Sequence, residues 1–216
     1  TQTPEFRRWF GNSKVVDEHG RPLVVYHGTT AEFDTFERRS PDIGFHAGSP
    51  EAANAIFESK SDGIRPRPAP LEGRQIMPLY MRIENPLRVR DLDTFSFLTL
   101  GPELERLGLV EDGRAWSEEV YNEGVRRTME RWAREYPGAR TKGELEAAGL
   151  SLDDQLAELQ NAANEVAIER LEAMGYDGLV YENRFEGGGD TWVAFRPEQI
   201  KSAIGNRGTF DPTDPS

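Results

Sequence analysis

The sequence predicts an α+β fold in which short strands at both ends of the chain flank a helical middle, the sheet being largely antiparallel. Three observations carry this. Apolar runs of strand length, punctuated by Gly, Pro, Asn and Asp, recur before residue 90 and again after residue 175. Between Asp91 and Met174 the apolar residues fall instead at helical spacing. No G-x-G-x-x-G or G-x-x-x-x-G-K motif follows a strand, so neither a dinucleotide-binding βαβ unit nor a phosphate-cradling loop of that kind is supported. The expected organisation is a domain begun by residues 1–90, interrupted by a helical insertion over 91–174, completed by strands over 175–204, and followed by an irregular tail, 205–216.

The elements follow in order. Pro4 to Phe10 reads as a short amphipathic helix with Phe6, Trp9 and Phe10 on one side and Arg7 and Arg8 exposed; Gly11-Asn12 stops it. Val15-Val16 and Leu23-Val24-Val25-Tyr26 flank Asp17-Glu18-His19-Gly20, the pattern of a hairpin turn. Phe33 and Phe36 bracket a short extended piece, Ser40-Pro41-Asp42 reads as a loop, and Ile43 to Ala47 as a short strand. Ser49-Pro50-Glu51 is a helix start: a capping serine, proline at the first helical position, then an acid at the positive end of the dipole. Ala52, Ala53, Ile56 and Phe57 supply that helix's apolar face. Ser61 to Arg74 holds three prolines and two glycines and reads as a mobile loop. Met77 to Ile83 is a strand that Asn85-Pro86-Leu87 turns. Trp116 to Tyr136 and Leu152 to Met174 are amphipathic helices. Strands return at Gly178 to Tyr181, Trp192 to Phe195 and Ile200 to Ile204.

The chain has 216 residues and a net charge of −12. That balance argues against general attraction to a nucleic-acid backbone, which needs a basic face to release counterions. It leaves open a dinucleotide held by backbone donors and a few arginines. There are no cysteines, so disulfides, thiolate metal sites and cysteine nucleophiles are excluded. No apolar stretch is long enough to span a bilayer, and no basic-then-apolar leader opens the sequence. Thr1 at the start points to a segment of a longer polypeptide. The expected setting is cytoplasmic, in the producing cell or in a cell into which the protein is delivered.

Three histidines are present: His19, His27 and His46. His19 sits in the hairpin turn and reads as surface. His27 ends the strand Leu23-Val24-Val25-Tyr26 and precedes Gly28-Thr29-Thr30. Glycine after a strand-end histidine lets a ligand approach the backbone closely. The competing reading is a core histidine bonded to a neighbouring carbonyl. His46, in Gly44-Phe45-His46-Ala47-Gly48-Ser49, lies just before a helix start. Its competing reading is a turn histidine. Glu186-Gly187-Gly188-Gly189-Asp190-Thr191-Trp192 places a glycine-rich loop and an acid before a strand; a hairpin loop with a solvated acid is the plainer account. No histidine or acid spacing suggests a metal site.

Together these three segments resemble the ADP-ribosyltransferase fold: Tyr26-His27-Gly28-Thr29 as its first strand, Gly44 to Ser49 as its second, and Asp190-Thr191-Trp192-Val193 as its late, acid-bearing strand. More narrowly, the chain resembles the ADP-ribosyltransferase domains of phage and prophage polyvalent proteins. Phe6 to Val16, Pro22 to Thr29, Phe195 to Ala203 and Gly205 to Pro212 carry that likeness; Asp91 to Met174 does not share in it. The resemblance implies a split, mostly antiparallel sheet and NAD as substrate. It implies that His27 bonds a ribose hydroxyl, Gly28 holds the nicotinamide carboxamide through its backbone, Thr29 helps hold the ribose, and Tyr26 flanks them. Phe45 or His46 takes the place of the aromatic residue that stacks on nicotinamide. Thr191 falls where many active members carry glutamate, with Asp190 one residue earlier and Glu186 as a further candidate. The expected activity is mono-ADP-ribosylation of a macromolecular acceptor, protein rather than nucleic acid, as in a phage-encoded toxin or effector. The alternative is a module that binds NAD or ADP-ribose without turnover. Transfer of a 2′-phosphate from RNA ranks below both, because no basic cluster beyond Arg38-Arg39 lies near His27.

Overall fold

The computed structural model describes residues 3–29, 42–55, 57, 74–184 and 188–204. They fall into two units, one drawn from Thr1–Glu37, Gly44–Asp91 and Gly175–Ser216, the other from Arg38–Ile43 and Leu92–Met174. The extended piece around Phe33 and Phe36, the loop before Pro41, residues 61–73, Glu186 and the tail from Gly205 lie outside the described residues.

The first unit opens with α1 (Pro4–Phe10). The Thr3 side chain accepts from the Phe6 N–H, and Pro4 at the helix start costs no hydrogen bond. Phe6, Trp9 and Phe10 are buried and pack with Val16 and Tyr80. The turn after Val16 forms as expected: Asp17 N–H donates to the Arg21 carbonyl and Leu23 N–H to the Val15 carbonyl.

Two sheets then face each other. One has the order β1-β3-β7, built from β1 (Val25–Thr29), β3 (Gln75–Met81) and β7 (Ile200–Ser202). The other has the order β2-β6-β5-β4, built from β2 (Phe45–Ala47), β6 (Asp190–Ala194), β5 (Gly178–Glu182) and β4 (Pro86–Arg88). Val25, Leu79, Met81 and Ile200 from the first meet Phe45, Ala47, Trp192, Ala194 and Val180 from the second in one buried apolar cluster. The sheets touch edge to edge at one place, where Tyr26 and Gly48 exchange backbone hydrogen bonds of 2.9 and 3.0 Å. The core is therefore a split sheet, antiparallel except for one pair.

That pair corrects a reading made above. Asn85-Pro86-Leu87 does not turn the chain away. Pro86 begins β4, which runs parallel to β5 with Arg88 opposite Val180. Proline lacks an N–H, which an edge strand tolerates at its first residue. A second correction concerns Ile43. Its N–H donates to the Phe95 carbonyl, while Phe95 N–H donates to the Asp42 side chain. Asp42 and Ile43 thus side with the helical unit, and β2 begins only at Phe45. In the Phe195–Ala203 stretch, the Gln199 amide donates to the carbonyls of Arg82 and Asp177 and ties β7's approach to two other segments. Asp177 accepts from the N–H groups of Glu84 and Asn85, 2.7 Å each. Between β2 and β3 lies α2 (Pro50–Ala55), with Ser49 Oγ accepting from Ala52 N–H.

The second unit holds α3 (Phe97–Arg106), α4 (Gly113–Glu135), α5 (Lys142–Ala147) and α6 (Leu152–Ala173). The sequence reading found α4 and α6 and missed the other two. Gly101-Pro102 interrupts the apolar period of α3. Both glycines of the α3–α4 contact are buried, with Gly101 against Gly113. α5 starts in a capping box: Glu144 accepts from Thr141 N–H while Thr141 Oγ1 accepts from Glu144 N–H. Arg126 and Arg127 hold the Glu123 carboxyl down to about 2, and Arg127 reaches across from α4 to Glu169 on α6. Among the described residues no helix is long and apolar enough to cross a membrane.

Candidate active site

His27 sits in β1 opposite Met77 of β3. Its Nδ1–H donates to the His46 carbonyl at 2.7 Å. The bond offered above as the alternative to a site role is therefore present. It also has a consequence: burial lowers the imidazole's pKa, with the carbonyl bond opposing weakly. Burial thus favours the neutral ring, and with the Nδ1 proton donated to the His46 carbonyl the ring's lone pair lies on Nε2.

Which residues share a face follows from the register, because paired residues project to one side and successive ones to opposite sides. Ala47 pairs with Trp192, Trp192 with Val180, and Val180 with Arg88. The Tyr26–Gly48 bridge carries the same alternation to β1 and puts His27 on the side of Ala47. One face of the split sheet therefore presents His27, Thr29, Phe45, Trp192, Asp190, Glu182 and Arg88. The other presents Tyr26, Gly28, His46, Gly48, Thr191 and Tyr181. The predicted site residues are divided between the two.

On the first face, Asp190 begins β6 at an exposed rim, where Arg88 grips its carboxylate with two bonds, Nη1 to Oδ1 at 3.0 Å and Nη2 to Oδ2 at 2.7 Å. Asp190 lies two strands from His27 and one residue pair further along. Ordinary sheet spacing makes that on the order of 10 Å, the span of a nucleoside rather than of a direct hydrogen bond. Phe45 is buried in the apolar cluster between the sheets.

On the second face, Thr191 is 4% exposed and its hydroxyl accepts from the Asn183 amide at 3.3 Å. It presses on Gly48: a Cβ there would fall 2.6 Å from Thr191 Oγ1. The position expected to hold a catalytic acid thus carries a small, buried, hydrogen-bonded side chain. His46 Nδ1 lies 3.4 Å from the Tyr181 hydroxyl, and the rings meet edge-on at 6.1 Å. Gly28 on this face is buried and Tyr26 half-buried; Thr29, on the first face, is half-buried. His19 is exposed and close to Glu18.

Arg88, Tyr181, Asn183 and Gly48 were missed by the sequence reading. Tyr181-Glu182-Asn183 offered a signal, being polar residues at the end of an apolar strand; Arg88 was hidden by the turn assigned to its proline. Among the described residues no three His, Asp or Glu side chains are arranged to hold a metal ion.

The family model for ADP-ribosyltransferases in polyvalent proteins matches residues 17–210, most of the chain. The chain belongs to that family. No curated protein and no solved structure gives a significant match. The matched span takes in both sheets of this ADP-ribosyltransferase domain and the helices between them, and the α+β architecture agrees with it. A transferase of ADP-ribose is the activity to which membership points.

Proposed function

We propose that this domain cleaves the nicotinamide–ribose bond of NAD and transfers ADP-ribose to a macromolecular acceptor. The observation that carries the reading is His27, which lies in the middle of β1 and not at its end as the sequence suggested, on the same sheet face as the Asp190 carboxylate and two strands from it. In this reading His27 Nε2 accepts from a ribose hydroxyl, and Gly28 holds the carboxamide through its backbone. Thr29 helps orient the ribose, and Tyr26 flanks it. Phe45 lines the His27 face and His46 the opposite one; whichever meets the nicotinamide ring stacks on it. As the bond breaks, its electron pair leaves with neutral nicotinamide and positive charge develops on the ribose. A carboxylate nearby stabilises that charge. The acceptor's lone pair then closes on the anomeric carbon and its proton is lost to solvent.

The net charge of −12 favours a protein acceptor over a nucleic acid. We place the reaction in the cytoplasm, of the producing cell or of a cell receiving the domain as a phage-borne effector. Labelled NAD incubated with the protein and cell lysate tests the proposal. Transfer or hydrolysis is expected, falling roughly 100-fold in Asp190→Asn. Neither transfer nor hydrolysis across a range of conditions sinks it.

A second reading has its own observation: Thr191 is buried and uncharged where an acid was expected, and Asp190 is engaged by Arg88. That favours a module which binds NAD without turning it over. Calorimetry beside the turnover assay separates the two, since binding with no turnover and no effect of Asp190→Ala selects the module.

A further inference from the structure

β4 is a three-residue edge strand, and its parallel pairing with β5 is what brings Arg88 to the face of Asp190. The two residues are 102 positions apart and sit on strands separated by β5. Arg88 is largely open to solvent and Asp190 partly so, their side chains 60% and 36% exposed. Exposed ion pairs add little to stability, so strand pinning is a weak account of this one. Its geometry is specific instead. The guanidinium fork meets both carboxylate oxygens, which fixes the plane of the carboxylate as well as its position. Asp190 also has a like charge directly across the ladder, Glu182. Each acid has its own arginine: Arg184 lies 3.3 Å from Glu182, and Arg88 takes Asp190. Asp190 is the acid one strand nearer His27.

We infer that Arg88 is a positioning residue of the active site, holding the Asp190 carboxylate in a fixed plane on the His27 face. This rests on the reading that Asp190 is the acid that stabilises the ribose. Arg88 acts through Asp190 and does not itself touch the reacting atoms. Misplacing a catalytic group by about 1 Å costs up to about 100-fold in rate, so loss of the fork lowers kcat and leaves NAD affinity alone.

The test uses the full chain and measures NAD hydrolysis and calorimetric NAD binding for Arg88→Met, Arg88→Lys, Asp190→Asn and the Arg88→Met, Asp190→Asn double variant. Expected are a kcat roughly 10-fold or more below the unsubstituted protein in Arg88→Met, with KM and Kd unchanged. Arg88→Lys, which keeps the charge and one bond, recovers part of the rate. Adding Arg88→Met to Asp190→Asn costs little more. If Arg88→Met does not fold, Arg88→Lys decides: full activity overturns the inference, and an intermediate kcat at unchanged Kd supports it. A normal kcat in Arg88→Met beside a low one in Asp190→Asn makes Arg88 a strand pin, overturning the inference while the proposed function stands. A raised Kd at unchanged kcat makes it a ligand contact and overturns the inference too. An Asp190→Asn variant with full activity overturns the inference and the role given to Asp190 while NAD cleavage stands; an unsubstituted protein without turnover removes the inference and the proposed function together.

Discussion

His27 combines two roles that a sequence reader would treat as exclusive. It is bonded to a backbone carbonyl, as a satisfied core histidine is, and that bond dictates which ring nitrogen remains as an acceptor. Burial depresses its pKa below the usual 6.5. The sign of the consequence is fixed. Above about pH 6.5 neither folded nor unfolded chain holds the extra proton; below it the unfolded chain takes it first, so stability falls with pH until the folded value is passed. Thermal denaturation between pH 8 and pH 5 is expected to show this decline, and His27→Asn to flatten it; equal slopes would assign the decline to other groups. Gly48 and Thr191 make a second residue-scale case. Gly48→Ala pushes a methyl group onto Thr191 Oγ1 and is expected to cost about 1–3 kcal/mol. The penalty shrinks in a Thr191→Ala background, which denaturant titration of the four proteins measures. None of this is legible in one dimension, because Gly48 and Thr191 are 143 positions apart in the sequence.

At the scale of elements, local signals worked where one rule governed a segment. The cap at Ser49 and the buried side of α1 were readable because capping and pattern agree there with what the structure forms. They failed where rules compete. Proline at residue 86 signals a turn, yet the sheet edge accepts it and β4 forms. Gly101-Pro102 breaks the pattern of a helix that tertiary packing keeps. α5 announced itself in Thr141-Lys142-Gly143-Glu144, a capping-box signature that the longer helices on either side overshadowed. Packing of α4 on α6 depends on Gly124. A Cβ there would fall 2.6 Å from the Ala163 nitrogen and 2.7 Å from its Cα, both backbone atoms that cannot step aside. Gly124→Ala is therefore expected to destabilise the helical unit by about 1–3 kcal/mol, seen as a lower unfolding midpoint of the helical signal. An unchanged midpoint would mean the two helices slide apart freely.

For the whole molecule, the 92–174 stretch of the helical unit is inserted between strands that pair with each other, since β4 precedes it and β5 follows it. The chain enters and leaves it at Asp91 and Gly175, both of which belong to the split-sheet unit. We propose the insertion as the surface that recognises the acceptor, because it is helical and lies between core strands; the family match spans it as well, contrary to the expectation that Asp91 to Met174 does not share in the likeness. Replacing residues 92–174 by a glycine-rich linker is expected to keep NAD hydrolysis and abolish acceptor labelling. Labelling that persists would move acceptor recognition to the split sheet.

By itself the sequence determined the class of fold, the positions of most strands, the two long helices and the family. Each of these rests on local patterning or on contiguous motifs, which a chain carries wherever it goes. Only the tertiary structure decided which of those residues share a face. Strand register separates His27 and Asp190 from His46 and Thr191, buries Thr191 under Gly48, and delivers Arg88 to Asp190. Register is a property of pairing between distant segments, and a shift of one residue would exchange the two faces.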